Sequence, residues 1–299
     1  MPNNPRPTRN KPMQRERVAD DIYIFTSERY AQVTAGAVLS SEGAILIDTL
    51  LYPEETRQIK QFVEGRLGCP VRYVINTHYH ADHTYGTYLF PNATVIAHKR
   101  CAELLNQRGR ASLAQAQAAL PELAEVRLVM PHLLIDDAPF SLTLGNKTLL
   151  LWHTPGHSPD SIVCLAREDR ILFAADTVMA LPYFVDGDYA AFLKTLESLQ
   201  PNNFENIVQG HGEIILRGEI DEKIRSDIAY LRAVHKHAQI ALTKDDPYAY
   251  LQSVDIERCG KSRVLLNGTA QQLHHDNLLR LFERLRKAEQ PDSQPVETK

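Results

Sequence analysis

The chain has 299 residues, 43% of them hydrophobic, with a formal net charge of −4 and a pI near 6.3. That is enough apolar material to bury a core, which excludes the disordered class, and the acidic balance supplies no global field for nucleic acid. No run of about eighteen apolar residues is present to span a membrane, and the four cysteines lack C-x-x-C spacing, as expected of buried hydrophobes or free thiols in a reducing compartment.

Residues 1–17 are rich in Pro, Asn and Arg and have no apolar h-region, so they are expected to be a disordered tail on a cytoplasmic protein. Short strands are expected at 22–25, 33–39 and 44–47, the last two joined by a turn at Ser41, Glu42 and Gly43. Ile59, Phe62, Val63 and Leu67 recur at helical spacing, so 53–67 reads as a helix that Gly68 and Pro70 break. Strands follow at 71–76 and 93–97. From about 99 to 128 the composition shifts to Ala, Leu, Gln, Glu and Arg, which reads as a helical insertion beside the strands. Strands resume at 133–135, 140–144, 147–152, 161–166 and 170–174. A helix capped by Asp188 is expected over 187–199, a late strand at 206–209, and long amphipathic helices at 218–241 and 269–288. The polar end, 290–299, is expected to be disordered. This order suggests a layered α+β or α/β domain with two central sheets over 18–215 and a helical extension over 216–289.

The stretch Thr77-His78-Tyr79-His80-Ala81-Asp82-His83 follows the 71–76 strand. His78 and His80, two positions apart, point to one side of an extended segment. Asp82 and His83 come where the chain turns and so face a neighbouring point in space. Imidazole nitrogens and carboxylate oxygens are ligands for zinc, iron or manganese, and ligands this dense suggest two adjacent ions. Further candidates lie at strand ends. His153 and His157 flank Pro155 and Gly156, with His157 favoured as a ligand and His153 as a supporting or structural residue. Asp176 ends an apolar strand, where an unpaired carboxylate is costly. His211 sits between Gly210 and Gly212. Each set falls at the C-terminal end of an expected strand, where a shared cleft is expected. His235, His237, His274 and His275 lie in expected helices and read as surface residues.

The run His78-x-His80-x-Asp82-His83, followed in order by His157, Asp176 and His211, resembles the metallo-β-lactamase superfamily of hydrolases over residues 18–215. The resemblance implies an α+β fold, a four-layer αβ/βα sandwich with the site at one edge of both sheets, here followed by C-terminal helices. It implies that His78, His80 and His157 hold one metal, that Asp82, His83 and His211 hold a second, and that Asp176 bridges them. Asp82 and Asp176 would be the catalytic carboxylates. Asp48 matches the family's strand-end aspartate, which acts behind the ligands, and His153 would support them. The bridging Asp176 looks like the glyoxalase II, lactonase and phosphodiesterase branches rather than true β-lactamases. Ala175 departs from the glycine often found there, and Met179 stands where acyl-homoserine lactonases place a tyrosine. The glutathione-binding Lys and Arg pattern of glyoxalase II finds no match.

The reaction expected is hydrolysis of an ester, thioester or lactone by a metal-bridging hydroxide. The cofactors are two divalent ions, zinc first, with iron or manganese admitted. The alternatives are a mononuclear iron persulfide dioxygenase, or phosphodiesterase or β-lactamase activity at the same site. Tyr79, Tyr183 and Phe184 are the expected pocket residues. The partner expected is a small-molecule substrate, with no nucleic acid and no membrane; a homodimer is compatible with the sequence.

Overall fold

The computed structural model describes residues 13–200 and 203–289. The tail expected at 290–299, and the first twelve residues of the one expected at 1–17, lie outside the described residues. The remainder of the N-terminal tail is a strand. Gln14–Ala19 forms β1, an edge strand paired antiparallel with β2 (Ile22–Thr26). Its Arg15, Glu16 and Arg17 show no apolar alternation, because the strand is held by backbone bonds and by the Arg15 guanidinium, 3.9 Å from the centroid of the Phe62 ring.

The first half of the chain builds one sheet. β3 (Thr34–Ser40) and β4 (Gly43–Ile47) continue the antiparallel pairing. Helix α1 (Pro53–Lys60), prolonged by a wider turn over Gln61–Arg66, then crosses over to β5 (Val71–Ile75), which pairs parallel to β4. A single helical turn, α2 (Ala81–Thr84), leads towards β6 (Thr94–His98). The helical insertion is α3 (Lys99–Leu104) and α4 (Arg110–Ala119), after which β7 (Leu133–Ile135) completes seven strands in the order β1 to β7.

The second half builds the other sheet. β8 (Phe140–Leu144), β9 (Lys147–His153), β10 (Ile162–Ala166) and β11 (Ile171–Ala175) run antiparallel. Helix α5 (Tyr189–Ser198) crosses to β12 (Asn206–Gln209), parallel to β11, and β13 (Ile215–Leu216) closes six strands in the order β13-β12-β11-β10-β9-β8. The Asp188 side chain caps α5, accepting from the Ala191 amide at 2.9 Å. The chain ends in α6 (Ile220–Ala241), the short α7 (Pro247–Gln252) and α8 (Ala270–Glu289).

Side-chain alternation explains the four layers. Ile45 and Ile47 of β4 and Ile171 and Phe173 of β11 meet in the core between the sheets. Ala44 and Leu46 point the other way, into the cluster that holds Ile59 of α1, while Leu172 and Ala174 join Phe192 of α5, Leu231 of α6 and Leu278 of α8. Strands covered on both faces are apolar throughout, which is why their sequences read as continuous runs. The chain is the expected four-layer αβ/βα sandwich, with helices added at its C-terminal end.

Main-chain bonds join the sheets along one edge. The Thr34 amide donates to the Gly210 carbonyl at 2.9 Å, and the Ile162 amide donates to the Thr77 carbonyl at 2.9 Å. Among the described residues no helix is long and apolar enough to cross a membrane.

Within the sandwich, Gly36 of β3 faces the Phe173 ring so closely that a Cβ would overlap it. Gly36→Ala is expected to destabilise the fold by about 1–3 kcal/mol, the usual cost of overpacking, read as a lowered midpoint of urea unfolding. An unchanged midpoint would mean that the two sheets part freely.

Candidate metal centre

All seven expected ligands meet at the edge where the sheets join. β5 ends in the loop carrying His78 and His80, and α2 supplies Asp82 and His83. The β9–β10 loop brings His157, the end of β11 brings Asp176, and the end of β12 brings His211. They form two groups, His78, His80, His157 and Asp176 in one, Asp82, His83 and His211 in the other, with the ligand-capable atoms of each within 4.8 Å of one another.

In the first group His80 Nδ1 stands 3.0 Å from His78 Nε2 and 3.0 Å from His157 Nε2, and His157 Nε2 is 3.2 Å from Asp176 Oδ2. The outer nitrogen of each ring is already engaged. His157 Nδ1–H donates to the Tyr183 carbonyl at 2.7 Å, and His80 Nε2–H donates to Asp186 Oδ2 at 3.2 Å. His78 Nδ1 lies 3.1 Å from Thr77 Oγ1, whose own hydrogen goes to Asp48 Oδ2. A neutral imidazole carries one hydrogen, so the three inward nitrogens are bare lone pairs aimed at each other. For bonds of about 2.0–2.1 Å, tetrahedral ligand atoms stand about 3.3 Å apart, close to the spacing seen. Burial and neighbouring imidazoles push His78 well below its usual pKa, and burial takes His157 down to about 4, against the pull of Asp176. Both rings are therefore neutral and ready to ligate.

The second group is acidic. His211 Nε2 lies 3.2 Å from Asp82 Oδ2 and 3.4 Å from Asp176 Oδ2, and His83 Nε2 lies 3.2 Å from Asp176 Oδ1. Here too the outer nitrogens are anchored, His83 Nδ1 on Asp48 Oδ2 at 2.8 Å and His211 Nδ1 on the Ala31 carbonyl at 3.0 Å. Burial works against protonating either ring, but the surrounding carboxylates prevail. Asp176, Asp48 and Asp82 hold His83 well above the usual value, and Asp176 and Asp82 hold His211 at about 10. A divalent cation and a pair of imidazolium protons are alternative ways to neutralise these carboxylates. Asp176 Oδ1 and His83 Nε2 are buried and, though 3.2 Å apart, are not aligned for a hydrogen bond with each other or with any other group, and a Cβ on Gly210 would overlap Asp176 Oδ1. The donors present fit two divalent cations, with Asp176 shared between the trios.

Asp48 lies where the sequence places it, behind the ligands, accepting from the Thr77 amide at 2.8 Å as well as from His83. Other expectations are met in part or need correction. His153 touches no ligand directly. Its Nε2 donates to the Pro159 carbonyl at 2.9 Å, bracing the loop that carries His157, and its ring stacks on His98 at 4.2 Å beside Asp137. The 9° angle between these stacked rings keeps their lone pairs from converging on a common point, so the His98, Asp137 and His153 cluster is poorly shaped for an ion. Phe184 is not a pocket residue, because it is fully buried in the core with α5, α6 and α8. His274 is not a surface residue, since the Tyr230 hydroxyl and the Val254 carbonyl hold it inside. Tyr79 stands at the rim with its hydroxyl on Asp186, and Tyr183 is half-buried, its ring 6.4 Å from that of His157.

Three contributors were not legible in the sequence. Asp186 is held at about 2, burial opposing its ionisation but hydrogen bonds from His80 and Tyr79 and the Arg108 charge outweighing it. Arg108, from the turn between α3 and α4, pairs with that carboxylate. The phenol of Tyr30, an exposed residue, lies in the field of Asp82 and Asp176, which push its pKa up. Asp186 and Tyr30 are isolated polar residues in loops, and no spacing singles them out.

Fold and site together define a hydrolase with a candidate metal site at the joined edge of its two sheets. The family model described as "Metallo-beta-lactamase superfamily" matches residues 30–211, and the chain belongs to that superfamily of hydrolases. A human protein named acyl-coenzyme A thioesterase MBLAC2 is 30% identical over 203 residues, 58% of this chain and 71% of its own length. The atrochrysone carboxyl ACP thioesterase of Passalora fulva is 26% identical over 208 residues, 64% of this chain and 54% of its own. The chain spans about half the length of most of these curated relatives. Among solved structures, the inverting sec-alkylsulfatase Pisa1 from Pseudomonas sp. aligns at a TM-score of 0.72 and 16% identity, over 95% of this chain and 53% of its own. A metallo-beta-lactamase from Pontibacter korlensis aligns at 0.60 and 19% identity, over 72% and 98%. These last two likenesses establish the fold alone.

Asp186→Asn leaves the shape of the His80 partner but removes its charge. It is expected to weaken zinc binding about 10–100-fold, the usual cost of losing a carboxylate behind a ligating histidine, measured by competition with a chromophoric chelator. Unchanged affinity would show that His80 is oriented without it.

Proposed function

We propose that this chain hydrolyses acyl thioesters at a centre of two divalent metals, zinc first among the candidates. His78, His80 and His157 hold one ion, Asp82, His83 and His211 hold the other, and Asp176 lies between them. The observation that carries this reading is the Asp176 carboxylate, within 3.2–3.4 Å of His157 in one trio and of His83 and His211 in the other. The choice of thioester is supported by the relatives named for acyl-coenzyme A and acyl-carrier-protein substrates. Divalent ions bound by such ligands lower the pKa of water and polarise a carbonyl oxygen, the chemistry that hydrolysis needs.

The protein's own groups do the rest. Asp176, buried and bounded by Gly210, keeps the two trios at a fixed separation. The His80 and Asp82 side chains are 25% and 14% exposed while the other histidines of the cage are nearly sealed, so the substrate carbonyl approaches over these two. The raised Tyr30 phenol keeps its proton at neutral pH. A phenol that keeps its proton in the field of these carboxylates is the candidate donor to the oxygen on which negative charge develops. At the rim the Arg108 and Asp186 pair borders the same opening through His80.

The test is a panel assay with metal-reconstituted protein, covering acyl-coenzyme A and acyl-pantetheine thioesters, lactones, phosphodiesters, β-lactams and sulfate esters. Thioesters are expected to turn over fastest. Asp176→Asn should lower kcat/KM by about 10³-fold, about 4 kcal/mol of transition-state stabilisation. Tyr30→Phe should lower kcat by about 10²-fold with KM little changed. Rapid cleavage of another ester class with thioesters left intact would overturn the substrate assignment. One iron per chain, with oxygen uptake on glutathione persulfide, would replace hydrolysis by oxygenation.

A further inference from the structure

The C-terminal helices bury a chain of polar side chains that the hydrolytic reading leaves unused. His274 and Asn277 of α8 and Tyr230 of α6 are all fully buried. Burying such groups is costly unless every polar atom finds a partner, and here each does, with a defined polarity. His274 Nε2–H donates to the Val254 carbonyl at 3.2 Å, which leaves Nδ1 to accept from the Tyr230 hydroxyl at 3.1 Å. The Tyr230 oxygen in turn accepts from Asn277 Nδ2 at 3.2 Å. The other Nδ2 hydrogen goes to the Pro182 carbonyl at 2.8 Å, and Asn277 Oδ1 accepts from the Phe184 amide at 3.0 Å. Turning the amide over would set donors against donors, so only one orientation satisfies the chain.

Between Pro182 and Phe184 lies Tyr183, and its carbonyl is the acceptor that holds His157 Nδ1–H at 2.7 Å. Asn277 thus grips the main chain on both sides of the one atom that orients this imidazole. The same loop is gripped once more from α6, where the partly buried Lys223 ammonium donates to the Met179 carbonyl at 2.6 Å and to Asp227.

We infer that Asn277 is a positioning residue of the metal centre, setting the direction and tautomer of His157 through the Tyr183 carbonyl, so that α6 and α8 are part of the site. The inference needs the metal cage but not the choice of substrate. It is read without turnover, so a failed thioesterase assay leaves it standing.

The experiment uses the full chain. Zinc affinity is measured by competition with a chromophoric chelator, and the geometry of the first site by the visible spectrum of the cobalt(II)-substituted protein. Asn277→Ala removes both grips. Asn277→Asp keeps the acceptor for Phe184 but loses the donor to Pro182, and it stands as the test should the alanine variant fail to fold. Each is expected to weaken zinc at one of the two sites about 10–100-fold and to shift the cobalt bands, with the second site little changed. Tyr230→Phe, which leaves one Asn277 hydrogen without its acceptor, should move both readouts in the same direction by less. Leu251→Ala, in the same core but outside this chain, should lower Tm and leave affinity and spectrum as they are. A lowered Tm with unchanged zinc affinity and cobalt spectrum in both Asn277 variants would overturn the inference, leaving Asn277 an ordinary core residue.

Discussion

Bare imidazole nitrogens facing one another at 3.0 Å repel unless a cation lies between them. That is the arrangement of His78, His80 and His157, and the structure around it keeps them so. Each ring's single hydrogen is claimed on the far side, by Thr77, Asp186 or the Tyr183 carbonyl, so none can turn inward to relieve the contact. The second trio solves the same problem with charge. Its carboxylates favour protons on His83 and His211, and those protons are what a cation would displace. One half of the cage is therefore preformed for an ion and the other is held in balance by protons. Binding of a cation would be coupled to proton release mainly through Asp82, His83 and His211.

The backbone is strained beside this cage. Asp48 sits at φ 60°, Ala175 at φ 43°, and Ala31 and Gln32 at φ 44° and 52°. Each is a left-handed conformation that costs a residue with a Cβ on the order of 1 kcal/mol or more. All four lie at the centre. Asp48 anchors His83, Ala175 precedes Asp176, and Ala31 offers its carbonyl to His211. Such conformations persist where neighbours over-determine them. Asp48 is pinned by the amide and hydroxyl of Thr77, and Ala175 by the Gly210 amide on its carbonyl at 2.7 Å. At position 175 glycine would be unstrained, which accounts in physical terms for the residue usual there and for the oddity of alanine.

What could be read from the residues was whatever announces itself locally. The five imidazoles and two carboxylates of the cage follow strand ends, with a spacing that suggests a metal site, and the unbroken apolar runs Ala44 to Ile47 and Ile171 to Ala174 read as strands. What escaped has a common cause. The acceptors behind His157 and His211 are main-chain carbonyls of Tyr183 and Ala31, and a carbonyl is the same in every residue type. Asp186 is a lone aspartate in a loop until folding brings it to His80. β1 carries charge on its exposed face, and so has no apolar period to betray it. Phe184 and His274 were misplaced for a related reason. A residue type says what a side chain can bind, whereas its depth depends on which element packs over it; here α6 and α8 cover Phe184, and Tyr230 of α6 and the Val254 carbonyl cover His274.

The two segments added to the sandwich are not equivalent surfaces, because both lead to the first trio. The insertion reaches it through Arg108, Asp186 and His80, and the C-terminal helices reach it through Asn277, the Tyr183 carbonyl and His157. The second trio leans on the sandwich itself, through Asp48 at the end of β4 and Ala31 between β2 and β3. Both additions act on one segment, the loop after β11, which carries both Tyr183 and Asp186. That loop is closed off from free movement by α8 on one side and by Arg108 and Tyr79 on the other. A loop held only at its strand end would be free to reorient two ligands together. Here each ligand's outer contact has its own clamp, drawn from a different part of the chain, so loosening one leaves the other ring aimed at the ion.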